Sequence, residues 1–177
     1  MKQEAKIPPK KLMCFVLEIV SVLKYLHHDK QLIHKDLNPS NIMLTYDLST
    51  KVTDFGLSHE VSSAVAKDKT FEGTLAYSSP EMVENTVLNE KADIWSLGCV
   101  VYELMSFSPC FSSGNPLSLA KAITTGDYKK LKPDSPQNAK LCILVENSIQ
   151  VDPSKRSSIL EVCRVEKAHH VFVRGIR

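Results

Sequence analysis

HKDLNPSNIML, residues 34–44, sets an aspartate beside a histidine and a lysine and follows it five positions later with an asparagine. VTDFGL (52–57) comes soon after and carries another aspartate. The runs NIML (41–44) and KVTDF (51–55) are β-like, and the polar TYDLST (45–50) between them predicts a small hairpin. Such a hairpin brings Asn41 and Asp54 close together, with Asp36 just ahead of its first strand. Taken singly, the asparagine reads as a turn former and Asp54 as a strand-end cap. Their order along the chain is what calls for a further account.

Upstream, residues 10–29 carry apolar side chains at 12, 15, 16, 19, 20, 23 and 26, one face of a helix that starts at Pro8 and Pro9. His27 and His28 close it, where imidazoles interact with a helix carboxyl terminus. Downstream, residues 57–80 read as a long loop rich in Ser, Thr, Ala and Lys. EKADIWSLGCVVYELMS (90–106) is apolar on almost every face, the pattern of a helix buried all round. Asn115 and Pro116 open another helix, NAKLCILVENSIQ (138–150) is amphipathic, and Ser158 with Glu161 has capping-box spacing.

The 177 residues are 43% hydrophobic and 24% charged with net charge +2, the profile of one globular domain. This balance makes no case for nucleic acid or membrane as a partner, and no apolar run approaches the roughly 20 residues of a membrane helix. Five scattered cysteines without a CxxC pair argue against a disulfide framework or a zinc site and for a reducing compartment, cytoplasmic or nuclear. No signal peptide is visible, because Glu18 interrupts the first apolar run.

Five ordered motifs then resemble one family. HKDLNPSN resembles the protein-kinase catalytic loop, and DFG (54–56) follows it on the hairpin. GTLAYSSPE (73–81) is similar to the end of a kinase activation segment, DIWSLGCVVYEL (93–104) to the buried central helix, and DPSKR (152–156) to a late Asp-Pro-x-x-Arg motif. Within protein kinases the details resemble the NIMA-related (Nek) serine/threonine members, most of all the tenth subtype, through PSNIML and FSPCFSSGNPLSLAKAI (107–123). The implied fold is protein-kinase-like, C-lobe only: mainly α-helical, with a small β-hairpin carrying the catalytic and metal loops. The implied organisation is a lead-in at 1–9, the kinase domain part at 10–165 and a tail at 166–177.

The resemblance implies ATP and Mg²⁺ as cofactors and a protein substrate, with a docking partner possible. Asp36 matches the catalytic base, and Asn41 and Asp54 match the metal ligands, oxygen donors of the kind a hard cation takes. Met43 matches the position under the adenine. Thr74, with Pro39, implies selectivity for Ser/Thr hydroxyls. His34 corresponds to a core pivot that packs on Phe55, next to Gly56. Glu81 and Arg156 correspond to a partly buried ion pair, and Asp93 to the carboxylate that braces the catalytic-loop backbone. Thr70 stands where Nek relatives carry an activation-loop phosphosite.

Three departures qualify this. Lys35 replaces the family arginine and lacks its planar fork. Asn38 replaces the lysine that faces the transferring phosphoryl, an exchange costing about 2–4 kcal/mol by analogy with losing a donor to developing negative charge. Gly56 is the first glycine, so no glycine-rich loop precedes the catalytic loop within these residues. The expectation is a C-lobe alone, from an isoform, a gene fragment or an incomplete gene model, inactive by itself. The alternative is a pseudokinase-like protein-binding module without catalysis.

Overall fold

A computed structural model describes residues 7–54 and 74–164, and the backbone of residues 59–60. Phe55, Gly56 and Thr70 lie outside the described residues. Helix α1, Pro9–Lys24, has no side-chain cap, and Lys10 and Lys11 meet its first turn, where cations are unfavourable. Its stability therefore comes from burial: Leu12, Phe15, Val16, Ile19, Val20 and Leu23 form the predicted face. The chain then widens into one π-helical stretch, Tyr25–Lys30, and stops at Gln31 in the left-handed conformation.

Strand β1, Leu32–Ile33, pairs antiparallel with β4, His59–Glu60, a pairing the sequence did not suggest. Strands β2, Ile42–Leu44, and β3, Thr50–Val52, form the predicted hairpin, with Met43 opposite Lys51. Its turn closes where the Thr45 N–H donates to the Ser49 carbonyl at 2.9 Å. The Thr45 and Ser49 hydroxyls both donate to Asp47 and hold its carboxyl below the usual carboxylate range. Glu18 on α1 braces the hairpin, its carboxylate accepting from the Thr50 N–H at 2.6 Å.

From residue 74 onward the regular structure of the described chain is helical: α2 Pro80–Val83, α3 Lys91–Ser106, α4 Pro116–Thr125 and α5 Pro136–Ser148, with a further turn over 159–164. Every residue of α3 from Ala92 to Tyr102 is buried, as its all-round apolar pattern requires. Asn115 caps α4 by accepting from the Ser118 N–H. The last turn carries a complete capping box, with Ser158 N–H donating to Glu161 and Glu161 N–H to the Ser158 hydroxyl. Helix α5 begins two residues before its expected start, because Ser135 caps it and Pro136 fits the first helical position. Among the described residues no helix is long and apolar enough to cross a membrane.

Helices α3 and α5 meet tightly at Gly98, where an added Cβ would lie 2.7 Å from Ser148 Cβ and 2.9 Å from Ile149 Cγ1. Gly98→Ala gains about 1 kcal/mol of helix propensity. It also crowds Ser148 Cβ, which is fixed to the α5 backbone and cannot rotate away, and overpacking of this kind costs about 1–3 kcal/mol. The expected net result is a loss of about 1 kcal/mol in urea unfolding. A raised midpoint would show that α5 yields there.

Candidate active site

Asp93 organises the catalytic loop from the first turn of α3. It is fully buried, and its two oxygens take three donors. Oδ1 accepts from the Lys35 N–H at 2.9 Å, and Oδ2 accepts from the His34 N–H at 2.8 Å and from His27 Nε2 at 2.7 Å. These bonds hold the loop where its backbone is strained: Lys35 has φ 69°, a left-handed conformation costing a lysine roughly 1–2 kcal/mol.

His27 departs from the sequence expectation. It leaves the helix end and reaches Asp93, 66 residues away, while its exposed neighbour His28 meets Asp29. A signal was present: His27 lies four residues after Leu23, on the face that α1 buries.

His34 is fully buried. Its Nδ1 accepts from the Asp36 N–H at 3.3 Å, so Nε2 carries the proton and donates to the Thr53 carbonyl at 3.1 Å. Both nitrogens are engaged by backbone, which makes His34 a link between catalytic loop and hairpin rather than an acid or base.

The half-buried carboxylate of Asp36 is held from three sides. Asn38 Nδ2 donates to Oδ1 at 3.0 Å, Asn41 Nδ2 donates to Oδ2 at 3.0 Å, and the Thr74 N–H reaches Oδ1 at 3.3 Å. Both amides also donate to the Asp36 carbonyl, at 3.1 and 2.8 Å. With its nitrogen committed, Asn41 keeps its amide oxygen as the outward acceptor. The Thr53 N–H donates to the Asn41 carbonyl at 2.8 Å, so the hairpin register sets Asp54 next in line. Asp54 is itself left-handed, φ 61°, a conformation aspartate tolerates better than most residues.

An amide oxygen and a carboxylate on adjoining backbone fit Mg²⁺, which takes few protein ligands and completes its shell with water and phosphate. Among the described residues no cluster of three or more His, Cys, Asp or Glu could hold a metal by itself. Met43 is 58% exposed on β2, which suits a platform for a flat base and excludes a core methionine.

Asn38, the residue in the lysine position, does not face outward: it is 3% exposed, and its Oδ1 caps the following turn by accepting from the Ser40 N–H at 2.9 Å. Its side chain is too short to do this and also reach past Asp36. Asn38 therefore positions Asp36.

Away from the loop, Arg156 donates five hydrogen bonds, among them a bidentate pair to Glu81 at 2.5 and 2.7 Å. Its guanidinium also stacks 5.1 Å from the Trp95 ring centroid. Tyr77 donates to Glu103 at 2.5 Å and Ser96 to the Tyr77 carbonyl at 2.8 Å, fixing the turn after Thr74 onto α3. Burial and the Glu103 carboxylate push the Tyr77 hydroxyl well above its ordinary pKa, so it stays a donor. Sequence reasoning missed Tyr77 and Glu103, for which single residues 26 apart give no signal.

Comparison with known proteins agrees with the geometry. The family described as "Protein kinase domain" matches residues 1–167. The chain is 38% identical over 161 residues to serine/threonine-protein kinase D1044.8 of Caenorhabditis elegans, covering 91% of this chain and 16% of that protein. It is 36% identical over 146 residues to mouse Nek10, covering 82% and 13%, and 37% identical over 122 residues to mouse Nek1, covering 69% and 10%. The chain thus spans less than a fifth of the length of these relatives. With the catalytic-loop residues, the hairpin and the buried pair all arranged around α3, this chain belongs to the protein kinase family and is similar to its NIMA-related serine/threonine members.

Proposed function

We propose that these residues form the C-lobe half of an ATP-dependent serine/threonine protein kinase centre. The observation that carries this reading is the Asp36 carboxylate, gripped by the amides of Asn38 and Asn41 at the mouth of the hairpin. Asp36 accepts the proton of a protein hydroxyl, and the amide grip keeps its oxygens aimed during that transfer. Asn41 and Asp54 would hold the metal, and Met43 would lie under the base. Mg·ATP, when bound, supplies the phosphoryl group and the cation that neutralises charge on its oxygens. Thr74 and Pro39 support a serine or threonine acceptor. All five cysteines are free thiols, which supports a reducing compartment, cytoplasm or nucleus.

One observation favours the alternative, a pseudokinase-like protein-binding module. With Asn38 turned inward, the lysine position of the catalytic loop offers no cation to the phosphoryl group. Paramagnetic Mn²⁺ separates the two. Added with nucleotide to the ¹⁵N-labelled chain, it is expected to broaden the amide signals of Asn41 and Asp54, and Asp54→Ala is expected to abolish this. No broadening there would leave the docking reading.

The same proposal extends to Thr70 as the activation-loop phosphosite of the longer kinase. Lys67 and Lys69 flank it, and a phosphate would add about −1.5 to −2 charges for cations such as Lys35 to meet. Phosphopeptide mapping of the active kinase is expected to find Thr70 modified. Phosphate confined to Ser62 or Ser63 would contradict this.

A further inference from the structure

The positive charge of this chain is concentrated in one place. Residues 121–140 hold five lysines and two aspartates, net +3 in a chain of net +2, and the other 157 residues hold seventeen basic against eighteen acidic side chains. Within this stretch, residues 127–134 join α4 to α5 without regular secondary structure.

Two side chains pin the connection. The partly buried Tyr128 meets Tyr102 and Phe111 edge-on, with ring centroids 5.9 and 5.8 Å apart, and Leu131 packs against the core. The residues between and beyond them, Lys129, Lys130 and Lys132, are exposed. Among the described residues none of the three forms an ion pair, and Lys130 folds back on Tyr128, its Nζ 4.4 Å from the ring centroid and 2.8 Å from the hydroxyl.

An ordinary solvated charge run is mobile or interleaved with acids. Here Asp127 and Asp134 stand only at the two ends, and the backbone between is fixed at two points. Three like charges fall within four consecutive residues, so each raises the local potential of the others. The backbone that carries these charges is held in place by Tyr128 and Leu131, which lowers the entropic cost of binding an anion there.

We propose that the α4–α5 connection is a docking surface for a carboxylate-rich polypeptide segment. Its chemistry selects against other anionic partners. The cations are all lysines, point charges that pair with carboxylates without requiring a planar bidentate partner. The one aromatic ring present is covered by Lys130, Tyr102 and Phe111, so it offers no face for a base to stack on. No large apolar side chain is exposed between residues 127 and 134, so nothing is available to enter a bilayer. This inference does not depend on the catalytic reading.

The test is fluorescence anisotropy with a labelled peptide of alternating glutamate and serine, titrated with the 177-residue chain at low salt. Saturable binding that weakens with salt is expected. The triple change Lys129→Glu, Lys130→Glu, Lys132→Glu is expected to weaken it about tenfold, the worth of three exposed charge pairs. Glutamine at the same positions is expected to cause a smaller loss. Lys10→Glu, Lys11→Glu, Lys24→Glu alters net charge equally on the exposed side of α1 and is expected to leave binding nearly unchanged, with circular dichroism confirming each fold. The proposal is overturned if the wild-type chain does not bind the peptide. It is also overturned if both charge-reversed variants lose affinity alike, or if a single-stranded oligonucleotide or anionic vesicles bind the same lysines more tightly than the peptide does.

Discussion

Glu81→Ala is expected to lower the stability of this chain by about 3–5 kcal/mol, several times the effect of Asp36→Asn. The Arg156 side chain is fully enclosed and the Glu81 side chain nearly so. Removing the carboxylate leaves the guanidinium with carbonyls from Lys91, Gln150 and Val151 but no counter-charge, in a place water cannot reach. An uncompensated buried charge is the costly outcome, whereas the intact pair is worth little more than a well-packed apolar substitute. Glu81→Leu combined with Arg156→Met is therefore expected to be milder than Glu81→Ala alone. Asp36 differs because it is half-buried at an open loop, and an asparagine there keeps an amide oxygen that still accepts a hydrogen bond. Urea unfolding of the variants decides the matter. Equal midpoints for Glu81→Ala and Asp36→Asn would mean that the pair does not anchor the segment before α2 to the end of the lobe.

Residues 75 apart can be paired from sequence only when something besides periodicity links them. Glu81 and Arg156 were legible through the motifs around them, as was Asp93. The hairpin and α3 were legible on physical grounds: alternation with a polar turn gives the first, and an apolar run without a polar face gives the second. What stayed hidden depended on side-chain direction. The sequence places Asn38 two residues after Asp36, but not that its amide turns back while its oxygen caps Ser40. It marks His27 as the next buried-face position of α1, but a histidine there has several possible partners until Asp93 is brought alongside. The β1–β4 pairing was hidden because two-residue strands carry no period. The α5 boundary shifted because Ser135 and Pro136 stand ahead of the first apolar position.

The 177-residue chain alone is expected to transfer no measurable phosphate and to bind Mg·ATP no more tightly than about millimolar, some 4 kcal/mol. Among the described residues, the groups placed to meet a nucleotide are those of the catalytic loop and the hairpin. Met43 and Leu44 are 58% and 52% exposed, so the hairpin presents an open platform. No glycine occurs before Gly56, so these residues contain no glycine-rich loop to lay amides over the phosphates. An ion pair 4 Å apart is worth roughly 1 kcal/mol in water and about 4 kcal/mol at the effective dielectric of a protein surface. A nucleotide resting on an uncovered platform stays near the first value. Each absent charge-assisted contact removes a further 1.5–3 kcal/mol or so. The uncovered Met43, Leu44 and Tyr46 also leave an apolar surface that favours self-association, so the titration is run alongside light scattering. Calorimetry with Mg·ATP and a radiolabel transfer assay give the answer together. Micromolar binding with transfer that disappears in Asp36→Asn would mean that the covering half of the site comes from these same residues or from a second copy of the chain. The Asp36 grip would then be a complete catalytic centre rather than half of one.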